Sequence, residues 1–435
     1  MSKALLAAFR NNYLSRMNQT NMMNRILILI ASLFAVAAYA QVPNLPTPDV
    51  PSGPAPIPAA PVLGAKSYIL QDFYSQQILV EHNADMRVEP ASITKLMTSY
   101  VVFKELAAGK IKLEDTVVVS ENAWRTGGSR MFIDPTMTPT ILDLILGMII
   151  QSGNDACVAL AEHIAGSEEA FAGLMNHYAE ELGMTGTHFM NSTGLPDEQH
   201  YTTARDVARL SSAIINEFPD YYAWYSEKEF TFNEIRQHNR NTLLWRDPAI
   251  DGLKTGHTES AGYCLASSAL RDGMRLVAAV MGSDSESSRA SESQTLLNYG
   301  FRFYETIQLY EAKSVLATAK VWKGLEEEVS TGLEHPMFIT IQRGRYDDLS
   351  AKVELQPNLT APIAEGQVVG SINITLDNEL VANRDLVTLG AVEEAGFFGR
   401  TWDGLMLWAD GMMGDDEGEG EEEIDEAKTP DESSE

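Results

Sequence analysis

Residues 89–106 read EPASITKLMTSYVVFKEL, and this stretch decides the expected fold. A mostly apolar run follows Glu89-Pro90, and proline is tolerated in the first turn of a helix, where its missing N–H would have no partner. We therefore predict a helix that ends near Leu106. A spacing of three places Ser92 and Lys95 on one face at its start, where the positive end of the helix dipole stabilises an oxyanion.

The segments on either side of this helix predict one mixed α/β domain, over residues 63–310. Residues 67–70 and 78–81 are typical of two strands of a hairpin, and two β-rich runs within 262–283 flank a turn at Arg271-Asp272-Gly273. Strands at both ends with helices inserted between them are typical of such a domain. Helices are predicted at 141–149, 155–164, 168–182 and 204–216.

A second domain is predicted over residues 311–392. Helical periodicity fades there, and short alternating stretches replace it, which favours a small all-β, sandwich-like domain. These stretches are 315–321, 338–342, 351–355 and 368–374.

Two later motifs complete a candidate catalytic set: Ser152-Gly153-Asn154 and Lys254-Thr255-Gly256. A serine hydroxyl is a poor nucleophile until a neighbour takes its proton, and a lysine amine does so when burial or a second cation lowers its pKa. Lys254 supplies that second cation. Gly256 would let a strand edge approach an extended peptide closely.

Ser152 and Asn154 are two residues apart, so we expect them on the same side of an extended loop. There they would offer a relay hydroxyl and an amide for a substrate carbonyl. Asp155 is expected to cap the following helix. Cys157 is expected to be buried helix packing.

The three motifs together resemble those of penicillin-binding proteins and β-lactamases. The stretches LILGMIIQSGNDACVA (144–159), NRNTLLW (239–245) and DGLKTGHT (251–258) are similar to the low-molecular-mass D-alanyl-D-alanine carboxypeptidases with a C-terminal membrane anchor. The resemblance implies a β-lactamase/transpeptidase-like catalytic domain. It also implies a peptidoglycan stem peptide as substrate and β-lactam antibiotics as covalent ligands.

The resemblance also implies roles for individual residues. Ser92 would attack the carbonyl between the two terminal D-alanines, with Lys95 as base and Ser152 passing the proton to the leaving D-alanine. Backbone N–H groups of Ser92 and His257 would form the oxyanion hole. The remaining binding residues would hold the acyl side chain (Asn154) or the terminal carboxylate (Arg240, Lys254, Thr255), and the His257 ring would either assist deacylation or merely pack.

Composition excludes several other classes of function. The formal charge of −29 opposes binding to nucleic acid. The sequence has no H-E-x-x-H, G-x-G-x-x-G, Walker or G-x-S-x-G motif. The two cysteines, Cys157 and Cys264, could form one disulfide bond but are too few for a disulfide framework. The serine chemistry requires no metal and no organic cofactor.

Both ends of the chain carry targeting signals. An apolar run at 26–38 followed by Ala38-Tyr39-Ala40 predicts a signal peptide over residues 1–40, cleaved before Gln41, and a retained membrane anchor is the alternative. Eight prolines predict a linker at 41–62. Residues 393–413 predict an amphipathic helix on the periplasmic face of the cytoplasmic membrane, with a core-packed or partner-binding helix as the alternative, and 414–435 an acidic disordered tail.

Three other functions compete with the carboxypeptidase. A serine β-lactamase is disfavoured because the E-x-x-x-N typical of one class is not found near Met190. A peptidoglycan endopeptidase would cut cross-links instead of chain ends. A catalytically silent peptidoglycan-binding or membrane scaffold would not require the set Ser92, Lys95 and Lys254. A second copy of the chain is a further candidate partner.

Overall fold

The computed structural model describes residues 57–396 of the chain. The predicted signal peptide, residues 41–56 of the proline-rich linker, residues 397–413 of the predicted C-terminal helix and the acidic tail lie outside the described residues. Within the described part no helix is both long and apolar enough to cross a membrane.

Nine α-helices lie in the described chain before residue 304, together with a 3₁₀ turn at Ala91–Thr94 and a π-helical turn at Gly147–Gln151. The helices are α1 Lys95–Ala107, α2 Glu121–Arg125, α3 Ile141–Leu146, α4 Asn154–Ala165, α5 Glu168–Glu181, α6 Ala204–Glu217, α7 Pro219–Tyr222, α8 Leu243–Arg246 and α9 Glu286–Phe303.

Fifteen strands form the sheets of the described chain. They are β1 Ser67–Asp72, β2 Ile78–His82, β3 Glu229–Phe232, β4 Ile235–His238, β5 Ile250–Thr258, β6 Gly262–Arg271, β7 Met274–Ser283, β8 Tyr304–Tyr310, β9 Ala317–Trp322, β10 Glu328–Gly332, β11 Met337–Gln342, β12 Leu349–Leu355, β13 Leu359–Thr360, β14 Val368–Leu376 and β15 Glu379–Thr388.

The first domain is built on a five-stranded antiparallel sheet in the order β2-β1-β7-β6-β5. The N-terminal hairpin therefore joins the late strands, and the helices are inserted between, as predicted. Alternate residues of β7 enter different cores: Val277 and Ala279 pack with the inserted helices, whereas Leu276 and Ala278 pack with α9. This period of two is what a sheet covered on both faces requires.

Helix α1 lies at the centre of this domain. Eleven of its thirteen residues are buried, so it is enclosed on all sides. It packs against α4, α5 and α6. The predicted helix is thus confirmed, except that residues 91–94 form a 3₁₀ turn ahead of the α-helix.

The second domain is all β, as predicted. A six-stranded sheet, β12-β14-β15-β10-β9-β13, packs against the pair β11-β8, and Met337, Ile339, Ile372 and Leu386 share one of its cores. Because β8 pairs with β11, this domain begins at Tyr304, whereas we placed the boundary after residue 310.

The C-terminal boundary also differs from our prediction. We expected a helix from residue 393, but Glu394 forms a β-bridge with Gly324, and the amide of Leu325 donates to the carbonyl of Glu393. The β domain therefore extends beyond residue 392, because this backbone is paired with the loop after β9.

Candidate active site

Ser92 and Lys95 meet at the start of α1. Ser92 lies half-buried in the 3₁₀ turn, and Lys95, the first residue of α1, is 1% exposed. The Lys95 Nζ donates to Ser92 Oγ at 2.9 Å. The three-residue spacing therefore brings a buried amine against a hydroxyl, as the sequence predicted.

The Lys95 amine has two further acceptors. Its Nζ donates to Asn154 Oδ1 at 2.7 Å and to the carbonyl of Thr193 at 2.6 Å. With Ser92 Oγ these acceptors occupy all three ammonium donors, and none of them is a carboxylate. Burial lowers the pKa of Lys95, and the positive charge of Arg240 acts in the same direction. A lowered pKa is what an amine requires to act as a general base.

Ser152 and Lys254 form a second lysine–serine pair. Lys254, 2% exposed on β5, donates from Nζ to Ser152 Oγ at 3.0 Å and to the carbonyl of Thr255 at 3.0 Å. Burial holds the pKa of Lys254 well below its usual value, with a smaller contribution from the charge of Lys95. The site therefore holds two buried lysine side chains, each hydrogen-bonded to a serine hydroxyl, and their protonated forms repel each other.

The loop around Ser152 is not extended, so our expectation for it is wrong. Ser152 has φ +64 at the end of the π-helical turn, and Asn154 already belongs to α4. The left-handed residue reverses the chain, which is what points the Ser152 hydroxyl at Lys254 and the Asn154 amide at Lys95. Asn154 Nδ2 donates to the carbonyl of Gly127 at 2.7 Å, so both of its polar atoms have partners within the protein.

Asp155 contributes to capping α4, as expected, since it accepts from the amide of Ala156 in the first turn at 3.0 Å. Its carboxylate accepts from the amides of Met131 and Phe132, both at 2.9 Å, and so fastens the segment 127–133 alongside the site. The residue before α4 is Gly153, which has no capping side chain. Cys157 is fully buried, as expected, and burial raises the pKa of its thiol to about 12. Cys157 and Cys264 are both free.

Gly256 serves a contact different from the one we expected. A Cβ at Gly256 would lie 3.0 Å from the carbonyl oxygen of Pro90 and 3.1 Å from the amide of Ile93. Its close approach is therefore to the turn that carries Ser92. Strand β5 is nonetheless the edge of its sheet, so an extended peptide can still pair with it.

Arg240 and His257 lie at the exposed rim of the site. The His257 ring stacks on Tyr263, with ring centroids 4.0 Å apart. The buried guanidinium of Arg289 lies over the Tyr263 ring, 5.6 Å from its centroid. An Arg289 nitrogen also donates to the backbone carbonyl of Arg240 at 3.5 Å. Arg289 thus supports both rim residues from below.

Sequence reasoning missed the loop at residues 190–194. Its Thr193 carbonyl binds Lys95, and Gly194, at φ +85, packs on Ala91 so tightly that a Cβ would lie 1.8 Å from the Ala91 carbonyl oxygen. A backbone carbonyl carries no signal in the side-chain sequence. The single clue was Thr193-Gly194, a small pair without helical or strand periodicity.

Comparison with known families agrees with this geometry. Residues 55–285 match the family described as D-alanyl-D-alanine carboxypeptidase, and residues 304–394 match the penicillin-binding protein 5 C-terminal domain. The chain belongs to the D-alanyl-D-alanine carboxypeptidase family. Its members' serine hydrolase activity and the two-domain fold are thereby confirmed for the chain.

The family's curated members cover most of the chain. It is 47% identical over 356 residues to the D-alanyl-D-alanine carboxypeptidase DacC of Escherichia coli, covering 80% of this chain and 89% of that protein. It is 44% identical to DacA of the same species, covering 87% and 94%. The crystal structure of penicillin binding protein 5 from Haemophilus influenzae has a TM-score of 0.75 and 42% identity, and covers 79% of this chain and all of that one.

Proposed function

We propose that this carboxypeptidase removes the terminal D-alanine of a peptidoglycan stem pentapeptide through an acyl-enzyme on Ser92. The observation that carries this proposal is the contact of 2.9 Å between Lys95 Nζ and Ser92 Oγ inside a site that lowers the pKa of Lys95. A binding module or scaffold would gain nothing from a buried base beside a hydroxyl.

Acylation begins when neutral Lys95 takes the Ser92 proton. Ser92 Oγ then attacks the carbonyl carbon of the penultimate D-alanine, and the oxyanion lies between the backbone N–H groups of Ser92 and His257. Donors of this kind typically contribute about 2.7–4 kcal/mol each to transition-state stabilisation. The C–N bond breaks when the nitrogen of the leaving D-alanine receives a proton from Ser152, whose hydroxyl is hydrogen-bonded to Lys254.

Deacylation returns the enzyme to its starting state. Before water enters, protonated Lys95 replaces the proton that Ser152 gave to D-alanine. Water then attacks the ester carbon and loses a proton to neutral Lys95, which returns it to Ser92 Oγ as the C–O bond breaks and the shortened peptide leaves. A β-lactam would acylate Ser92 in the same way, but its amine remains tethered after ring opening, so the adduct would be released slowly.

Substrate binding falls to the edge strand and the rim. The peptide backbone pairs with β5 beside Thr255 and Gly256, while Asn154 lies next to the acyl side and orients Lys95. Arg240, Lys254 and Thr255 provide the positive charge and hydroxyl for the terminal carboxylate. A free carboxylate is what distinguishes a chain end from a cross-link.

The role of Arg240 predicts a selective loss in Arg240→Gln. We expect kcat/KM for a peptide ending in Lys-D-Ala-D-Ala to fall about 10–100-fold, since a hydrogen bond to a charged group is worth about 1.5–3 kcal/mol. For the same peptide with an amidated C-terminus, the change should stay within about threefold. D-alanine or D-alaninamide release measures both.

Arg246→Gln is the matched control, since Arg246 is also exposed but lies on α8. It should leave both substrates unaffected. Equal losses on both substrates in Arg240→Gln would remove the carboxylate role. Preferential cleavage of a cross-linked muropeptide by the wild type would instead identify an endopeptidase.

We place the mature protein on the periplasmic side of the cytoplasmic membrane. The proposal rests on the apolar run before Gln41 and on the apolar helix face that the sequence predicts within residues 393–413. Membrane flotation of the exported protein should retain the full-length form and lose a form truncated after Gly396, and N-terminal sequencing should begin at Gln41. Equal flotation of both forms would contradict the anchor. Light scattering of the same truncated protein would measure its molar mass and so show whether it forms the homodimer that we consider as a further assembly.

A further inference from the structure

His200 is a buried histidine that the reaction described above does not use. It is 2% exposed and precedes α6. Its Nδ1 accepts from the backbone N–H of Met190 at 3.0 Å, and its Nε2 lies 2.7 Å from Thr94 Oγ1. Because an amide N–H only donates, Nδ1 must be the unprotonated nitrogen, and the Nε2–H therefore donates to Thr94.

These two bonds join the parts that hold Lys95. Thr94 lies in the turn between Ser92 and Lys95, whereas Met190 begins the loop whose Thr193 carbonyl accepts from Lys95 Nζ. The loop and the turn also touch directly at Gly194, where a Cβ would lie 2.9 Å from Thr94 Oγ1. The imidazole thus adds a polar link from the turn itself to the hydrogen bonds that Lys95 and Thr98 of α1 donate to the carbonyls of Thr193 and Ser192, both at 2.6 Å.

We propose that His200 is a positioning residue, which ties the loop of Thr193 to the turn of Ser92 and thereby fixes the three-acceptor geometry of the Lys95 amine. This inference rests on the proposed function, because it assumes that Lys95 is the base for Ser92. An error of 1 Å in such an arrangement can cost about 100-fold in rate.

Protonation of His200 would break the link. An imidazolium donates from both nitrogens, so Nδ1–H would face the N–H of Met190. Burial lowers the pKa of His200 to about 4. The charged groups that face the ring are Lys95 on α1, which lowers the pKa as His188 does, and Asp197, which raises it. The ring therefore stays neutral at the pH of the reaction.

The test compares His200→Ala with His200→Gln. The glutamine amide offers an oxygen to the Met190 N–H and an NH₂ to Thr94, so it can restore both bonds, whereas alanine restores neither. We expect His200→Ala to lower kcat and the rate of acylation by benzylpenicillin about 10–100-fold with KM within about threefold. His200→Gln should return to within about fivefold of the wild type. His188→Ala, from a half-buried histidine just before this loop whose backbone pairs with Tyr201, is the matched control and should match the wild type.

Thr94→Val removes the hydrogen bond between Thr94 Oγ1 and His200 Nε2 by changing the other partner. It provides a second test of the inference if His200→Ala does not fold. The two substitutions together should lower acylation no further than the larger single loss. Histidine ¹⁵N NMR of the wild type should show His200 protonated at Nε2. Wild-type acylation rates in His200→Ala and Thr94→Val, or a His200→Gln as impaired as His200→Ala, would overturn the inference. An unacylated wild type would instead overturn the proposed function.

Discussion

Ser92→Ala is expected to abolish both D-alanine release and the covalent penicillin adduct. In another serine hydrolase that forms an acyl-enzyme, removing the nucleophile lowers kcat about a million-fold. The loss should be that large here because Lys95 Nζ has no other hydroxyl among its described hydrogen-bond partners. Intact-protein mass spectrometry after incubation with benzylpenicillin should show one adduct on the wild type and none on the variant.

Ser99→Ala is the matched control for this experiment. Ser99 lies on α1, and its buried hydroxyl donates to the backbone carbonyl of Lys95 at 2.8 Å. It should still form the adduct, which would show that loss of a buried hydroxyl from this helix does not unfold the site. An adduct of undiminished yield on Ser92→Ala would assign the nucleophile to another residue, and Ser152 would be the first to examine.

The sequence predicted the parts of the site that side chains define. Ser92 and Lys95 were placed on one helix face by their spacing, and the motifs assigned Ser152 and Lys254 to the same site, although the hydrogen bond between them was not predicted. The order of strands and helices was also predictable, because hydrophobic periodicity reports which faces are buried.

The remaining features depend on backbone geometry or on contacts distant in sequence. The left-handed turn at Ser152 and the Thr193 carbonyl have no residue signature. Asp155 was assigned to a helix cap because its local position suggests one, and it does accept from the amide of Ala156; the amides 22 to 24 positions earlier that also bind its carboxylate could not be predicted. The domain boundary was misplaced because the alternation of apolar and polar residues in β8 does not show which domain the strand joins. Its pairing with β11 assigns it to the second domain.

Lys95→Met is expected to lower the acylation rate about 10²–10⁴-fold, the usual contribution of a general base. Methionine keeps much of the buried side-chain volume but cannot accept the Ser92 proton. In the wild type, acylation should rise with pH on the acid side, because only the neutral amine accepts a proton. The midpoint should lie below the ordinary lysine value, because burial lowers the pKa of Lys95.

The pH profile of acylation by benzylpenicillin separates this role from a structural one. Lys104→Met is the matched control, since Lys104 lies on the same helix but pairs with Glu217 at the surface at 2.7 Å, and its profile should equal that of the wild type. Lys95→Met should lose the acid limb together with the rate. Since Lys95 and Lys254 are mutually repelling amines, the midpoint belongs to the pair, and Lys254→Met should move it upward by removing one positive charge. An acid limb that persists in Lys95→Met but disappears in Lys254→Met would transfer the role of base to the Lys254–Ser152 pair.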